Sequence, residues 1–325
     1  ERETPLSEAS GRTDLLHQVS RGSAHLDDLD LNPLLAQADP GEFARYCTRE
    51  GRNEVPDTLD AQMLKDATAL FTHGEKMQLA YSVRNTHRAV GTRLSSQVTR
   101  KFGMFGLQPG HITVRLRGTA GQSLGAFAVQ GVRLEVFGDA NDYVGKGLSG
   151  GTIVVRPAPS SPLVSNLNTI IGNTVLYGAT AGQVFAAGQA GERFAVRNSG
   201  AEAVIEGCGS NACEYMTGGV VAILGPVGDN FAAGMTGGMA FVYDRDDLLP
   251  VHINEDSVVY QRLASAHWEG VLKGLVERHL QETQSPYAAG LLADWEVVRQ
   301  RFWQICPKEM VHRLAQPLSD QAPVA

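Results

Sequence analysis

Residues 138–151 read GDANDYVGKGLSGG, and the TIVVRP that follows at 152–157 decides how they are taken. Gly145, Gly147 and Gly150 fit G-x-G-x-x-G, the spacing that lets backbone N–H groups cradle a pyrophosphate. Such a site needs a helix after the glycines, because the helix N-terminus holds the anion. TIVVRP is a β-branched run and reads as a strand, and no Gly-Lys-Ser/Thr is present to make a Walker loop. The stretch is therefore expected to turn the chain between strands.

Working outward, 27 of the 36 glycines fall between Gly103 and Gly238. Short apolar strings follow a glycine at Gly110 (HITVRL), Gly131 (VRLEVF), Gly151 (TIVVRP), Gly172 (NTVLYG) and Gly191 (ERFAVR), 19 to 21 residues apart. A second register runs through Gly200 (AEAVIE), Gly219 (VVAILG) and Gly238 (MAFVYD), each 19 from the last, with weaker strands at 183–187, 213–216 and 230–233. A period near 20 built of short strands and glycine corners marks a solenoid whose coils bury a core only by stacking. The strands, read as four to six residues long, are too closely spaced for βαβ units. The fold class expected is mainly β, a right-handed parallel β-helix over 103–244, with glycines turning its corners at positive φ.

Both flanks read differently. Residues 1–102 form a linker and helical lead-in, with Leu59, Met63, Leu64, Ala67, Leu70 and Phe71 at helical spacing. The basic residues Lys76, Arg84, Arg88, Arg93, Arg100 and Lys101 suit a solvated face or an acidic partner. Residues 245–316 predict a helical cap over the end of the solenoid. One helix carries Leu272, Leu275, Val276 and His279; a second, opened by Ser285-Pro286, runs through Trp295, Val298 and Phe302 until Pro307 ends it. Residues 317–325 read as a disordered tail.

Composition narrows the function. A net charge of -7 supplies no chain-wide basic field for nucleic acid or an anionic membrane, and no apolar run is long enough to span a bilayer. Cys47, Cys208, Cys213 and Cys306 are scattered, as expected of reduced thiols in a cytoplasmic protein, and two neighbouring thiols are half of a four-ligand metal site. Several β-helix proteins cleave polysaccharides, yet only Asp139 and Asp142 approach a carboxylate pair, and no Trp lies between 103 and 243. No catalytic, cofactor-binding or metal-ligating residue is expected. The polar corner Asp139, Asn141, Asp142 and Lys146 is left facing either a neighbouring domain or water.

Longer strings carry a resemblance. GTAGQSLGAF at 118–127, GDANDYVGKGLSGGTIVVRP at 138–157, CEYMTGGVVAILG at 213–225 and NFAAGMTGGMAFVYD at 230–244 closely resemble the carboxy-terminal GXGXG domain of the glutamate synthase large subunit. GRTDLL at 11–16, SVRNTHRAVGTRLS at 82–95 and FWQICPKEM at 302–310 resemble its approach and its terminal helix. The resemblance implies a right-handed β-helix that scaffolds a glutaminase domain and an FMN and iron–sulfur domain, with an NAD(P)H-oxidising small subunit or ferredoxin as electron donor. None of those catalytic parts is matched here, and the first residue is Glu, so the chain is expected to be a piece of a longer polypeptide or a separately encoded chain. Formylmethanofuran dehydrogenase has a solenoid component with the same motif and is the alternative resemblance.

Overall fold

A computed structural model describes residues 9, 11–45, 48–51, 53, 54 and 56–320. Cys47 lies outside them. The chain divides into two units, 1–56 and 57–325. In the first, the described residues form a 3-10 turn, Thr13–Leu15, and two helical turns, Ala24–Asp27 and Asn32–Leu35, none of which buries a residue.

The second unit is built on one long sheet. Its strands are β1 (Met77–Val83), β2 (Ile112–Ala120), β3 (Val132–Ala140), β4 (Ser149–Arg156), β5 (Thr169–Ile171), β6 (Ala181–Ala186), β7 (Gln189–Ala190), β8 (Ser199–Ile205), β9 (Thr217–Ile223), β10 (Gly237–Tyr243), β11 (Val258–Arg262) and β12 (Phe302–Pro307). The order is β1-β2-β3-β4-β6-β8-β9-β10-β12-β11, with β5 and β7 off this path. Pairing is parallel from β1 to β10, and β12 and β11 then add antiparallel. The sheet is thus mixed, with flanking helices.

In-register rows show how the sequence period becomes a core. Val114, Leu134, Ile153, Val184, Ala203, Val221 and Ala240 are successive partners across seven strands, and all are fully buried. Because side chains alternate across a strand, the neighbouring row points to the opposite face. It reads Ala80, Arg115, Glu135, Val154, Phe185, Val204, Ala222, Phe241. Its apolar part is buried against Leu272, Leu275 and Val276 of a helix, Ala266–Thr283, and against Ala288, Leu291 and Trp295 of the segments after it.

Several expectations shift. The anchored strands HITVRL, VRLEVF and TIVVRP are β2, β3 and β4, but β2 and β3 reach nine residues because their glycine-containing ends stay paired. NTVLYG at 173–178, ERFAVR at 192–197 and the weaker candidates at 213–216 and 230–233 are turns, whereas QVFAA falls largely within β6. Between β4 and β6 the register therefore jumps from Ile153 to Val184, the extra chain holding β5 and a 3-10 turn, Ser165–Leu167.

The lead-in helix is two helices, Leu59–Asp66 and Thr68–His73, broken at Ala67. The carboxy-terminal helices lie across the sheet face instead of over its end, where they bury the apolar row Phe185, Val204, Ala222 and Phe241. Ser285 does cap its helix, accepting from the Ala288 N–H, but that helix stops at Ala293 and Phe302–Pro307 is a strand. The edge of β10 away from β9 offers a ladder of backbone partners, and FWQICP, buried at all but Trp303, pairs with it antiparallel. The last described residues are held as well: Ser319 bridges Ala264, and Asp320 accepts from the Ala266 N–H at 2.7 Å.

Candidate functional site

Between successive strands the chain passes through turns in which alternate residues take positive φ. The triplets are Ser123, Gly125, Phe127; Tyr143, Gly145, Gly147; Thr174, Leu176, Gly178; Arg193, Ala195, Arg197; Asn211, Cys213, Tyr215; and Asn230, Ala232, Gly234. Along a triplet the positive-φ residues alternate in which neighbouring turn their N–H reaches. The middle residue donates to the turn before it: Gly145 N–H to Leu124 O (2.9 Å), Leu176 to Val144 O (2.8 Å), Ala195 to Val175 O (3.0 Å), Cys213 to Phe194 O (2.7 Å) and Ala232 to Ala212 O (2.8 Å). The first residue donates to the turn after it, as Tyr143 does to Asn173 O (2.9 Å) and Arg193 to Ser210 O (2.8 Å).

This settles what the glycine loop can do chemically. Gly145 N–H is spent on Leu124 O, Lys146 N–H on Tyr143 O (3.1 Å) and Gly147 N–H on Tyr177 O (2.8 Å). No N–H is left in Gly145–Gly147 to cradle a phosphate.

The polar corner is only partly available. Asp142 Oδ1 accepts the Asn173 N–H (2.8 Å), and Asn173 Oδ1 accepts the Glu192 N–H (2.8 Å), so these side chains staple one turn to the next. Asn141 Oδ1 turns back onto the Asp142 N–H (2.7 Å). Farther along, Asn254 donates to Asn230 and Asn230 to Asn211, at 2.9 and 2.8 Å. Asp139 is exposed at the end of β3, and the Lys146 ammonium lies 5.6 Å from the Tyr143 ring. A carboxylate committed to a staple is a poor general acid, so Asp139 and Asp142 make no hydrolytic pair.

The repeat glycines serve two purposes. Gly110, Gly131, Gly219 and Gly238 have positive φ; Gly151, Gly172, Gly191 and Gly200 do not. At Gly200 the need is close approach, since a Cβ would sit 2.1 Å from Thr180 O.

Two features escaped the sequence reading. Asp60 is buried and accepts from the N–H groups of Gly91 (2.8 Å), Arg93 (2.7 Å) and Leu94 (3.3 Å). Gly91, itself at positive φ, begins the ladder ahead of Gly125, whose N–H goes to Val90 O. Asp60 therefore supplies the acceptor that a preceding turn would have supplied, and it also caps the helix Thr92–Phe102. Burial raises its pKa, with the three N–H donors pulling the other way. The second is the buried His279–Glu206 contact of 3.1 Å, with Ser285 Oγ donating to the same carboxylate oxygen, which pins the long helix to the sheet. Only the sheet register brings Glu206 under that helix.

Cys208, Cys213 and Cys306 are buried free thiols, and burial pushes all three pKa values up, Cys306 to about 11. Among the described residues no group of three or more His, Cys, Asp and Glu could hold a metal. Protonated thiols without further ligands do not fit an iron–sulfur cluster.

The GXGXG motif family model matches residues 60–308, most of the chain. This chain belongs to the GXGXG family. The Azospirillum brasilense protein named "Glutamate synthase [NADPH] large chain" is 74% identical over 313 residues, covering 96% of this chain and 21% of that protein. "Ferredoxin-dependent glutamate synthase 2" of Synechocystis is 44% identical over 305 residues, 93% of this chain and 20% of that one. "Ferredoxin-dependent glutamate synthase 1, chloroplastic/mitochondrial" of Arabidopsis thaliana is 42% identical over 307 residues, 93% and 19%. The chain thus spans about a fifth of the length of these curated relatives. In this GXGXG chain, the glycines of G-x-G are residues at which the turn demands positive φ, as Gly145 and Gly147 show at 65° and 62°.

Proposed function

We propose that this chain is the structural, non-catalytic portion of a glutamate synthase, a right-handed parallel β-helix that holds a glutaminase domain and an FMN domain at a fixed separation for ammonia transfer. The repeating strand, glycine bend and kinked turn form one coil, and successive coils run through residues 103–244 with β1 ahead of them. The observation that carries the reading is the hydrogen-bond accounting of the turns. Gly145–Gly147, the stretch that resembles a cofactor loop, spends its N–H groups on its own and neighbouring turns, which suits a scaffold and leaves none for a phosphate. FMN and the iron–sulfur cluster belong, on this reading, to other parts of the parent enzyme. The electron donor is an NAD(P)H-oxidising subunit or ferredoxin, and the setting is the cytoplasm. On the corner, Asp139 and Lys146 are the charges free to meet a neighbouring domain.

The test is direct. The purified 325-residue chain is expected to show no flavin absorbance and no conversion of glutamine or 2-oxoglutarate; turnover by this chain alone overturns the proposal.

A further inference from the structure

The outer row of the sheet changes character midway. From Phe185 to Phe241 it is apolar and covered by helices, but Ala80 and Arg115 are exposed and Arg115 and Glu135 are charged. Beyond the end of the long helix lies an open groove of about 790 Å³, floored by β1–β4 and flanked by Gln281, Glu282 and Gln284. Arg115, Arg117, Arg133 and Arg156 line it against the carboxylates of Glu135 and Glu282, a balance of four cations to two anions in a chain whose net charge is -7.

The arginines are not equally engaged. Arg133 is committed to Glu135 (2.7 Å) and Glu282. Burial raises the Glu135 pKa, but the two guanidiniums outweigh it and hold the carboxyl low. Arg156 lies over the Phe137 ring at 4.7 Å and donates to Thr283 O. Arg115 reaches Glu135 at 3.0 Å yet stays half exposed. Arg117 is exposed, with no side-chain partner among the described residues.

Beside these two arginines lies the sheet's first strand. β1 ends the strand order, so among the described residues no strand pairs with its other edge. Its sequence, MQLAYSV, has no charge and no proline, the devices that keep an edge from pairing. Its outward residues next to the arginines are small, with Ala80 opposite Arg115 and Ser82 opposite Arg117.

We propose that this edge and groove dock an extended acidic polypeptide segment. The segment adds a strand to β1 through main-chain hydrogen bonds, and alternate Glu or Asp side chains cross Ala80 and Ser82 to meet Arg115 and Arg117. An added strand lies two strand spacings from β2, about 9.6 Å. A long guanidinium stem and a carboxylate side chain close that gap between them, provided the intervening side chains are small. Main-chain pairing supplies affinity and the charge ladder selects an acidic segment. The inference names a partner chemistry for one face of the proposed scaffold and rests on that reading. Its readout is binding rather than turnover, so it fails or stands separately.

The probe is a fluorescent nine-residue peptide alternating Glu with Val, titrated into the 325-residue chain and followed by polarisation. Saturable binding is expected, absent for the Lys–Val peptide and weakened by salt. Arg117→Glu with Arg115→Gln, which removes both cations without setting a new carboxylate against Glu135, is expected to weaken it at least about tenfold while the chain keeps its folded circular-dichroism spectrum. Methylating alternate peptide nitrogens is expected to weaken it by a similar factor. No saturable binding, equal binding of the N-methylated peptide, or displacement by glutarate at the peptide's own affinity each overturns the proposal, the last by revealing a small-dicarboxylate site.

Discussion

The strand side and the turn side of each repeat solve one problem in two ways. Both must find acceptors for their backbone N–H groups, largely in a neighbouring repeat. Along the strands this is done with extended backbone, which any L-residue adopts, apart from bends at glycines such as Gly219 and Gly238, and side chains supply the stability: Val114, Leu134, Ile153 and Val184 form a continuous buried row. Along the turns it is done by alternating positive φ, and the backbone itself is the constraint. Leu176, Ala195, Cys213 and Ala232 accept that conformation although they carry a Cβ. Each costs about 1 kcal/mol relative to glycine. The hydrogen bonds of the ladder and full burial offset it. The strand side is thus tolerant in backbone and demanding in side-chain volume, and the turn side is the reverse.

The largest test of that contrast lies within β9, where Gly219 keeps a positive-φ bend at the strand's entry and Val221 is part of the buried row. The Gly219 φ is 86°, and a Cβ there would sit 2.3 Å from Ala201 O. Gly219→Val forces a β-branched residue into a left-handed conformation against a neighbouring carbonyl, and is expected to cost at least about 4 kcal/mol, enough to leave little folded chain. Two residues on, Val221→Ala removes only side-chain volume from the buried row and is expected to cost about 2 kcal/mol with the fold kept. Urea midpoints of the two variants decide the matter; a larger loss from Val221→Ala breaks the comparison.

Next in size is the cap at the start of the turn ladder. Asp60→Ala strips the Gly91, Arg93 and Leu94 N–H groups of their acceptor and is expected to cost about 3 kcal/mol. The loss should be local. Hydrogen exchange is expected to quicken at those three amides while Cys213 and Ala232, deep in the ladder, keep their protection. Uniform loss along the stack would mean that Asp60 supports the whole unit and not its first turn.

How much of this was legible in the sequence follows the same divide. HITVRL, VRLEVF and TIVVRP announced their strands because extended backbone shows itself in β-branched alternation. The turns did not, because positive φ at Leu176 or Cys213 leaves no mark in residue type; NTVLYG and ERFAVR carry strand-like residues in a kinked path. Phe302 fell into helical spacing with Trp295 and Val298 and so hid a strand whose partner, β10, lies far off in the chain. The arginine groove was within reach: Arg115, Arg117, Arg133 and Arg156 hold outward positions on strands one period apart. Read singly, they look like ordinary solvated alternation. Asp60 was beyond reach, since nothing local links an acid at the start of one helix to the first turn of another.

The smallest effect is the sharpest discriminator. Ala195, in the turns, and Ala203, in β8, are both fully buried alanines, and they differ chiefly in backbone. Replacing either by glycine removes one methyl and loosens the unfolded chain, a loss of about 1 to 2 kcal/mol together. At Ala203 nothing compensates, so the full loss is expected. At Ala195, where φ is 58°, glycine also relieves about 1 kcal/mol of left-handed strain, and the net change is expected to fall within about 1 kcal/mol of zero. If the two variants lose the same stability at equal denaturant slope, the turns carry no backbone strain, and the glycines of the motif are there for close approach alone.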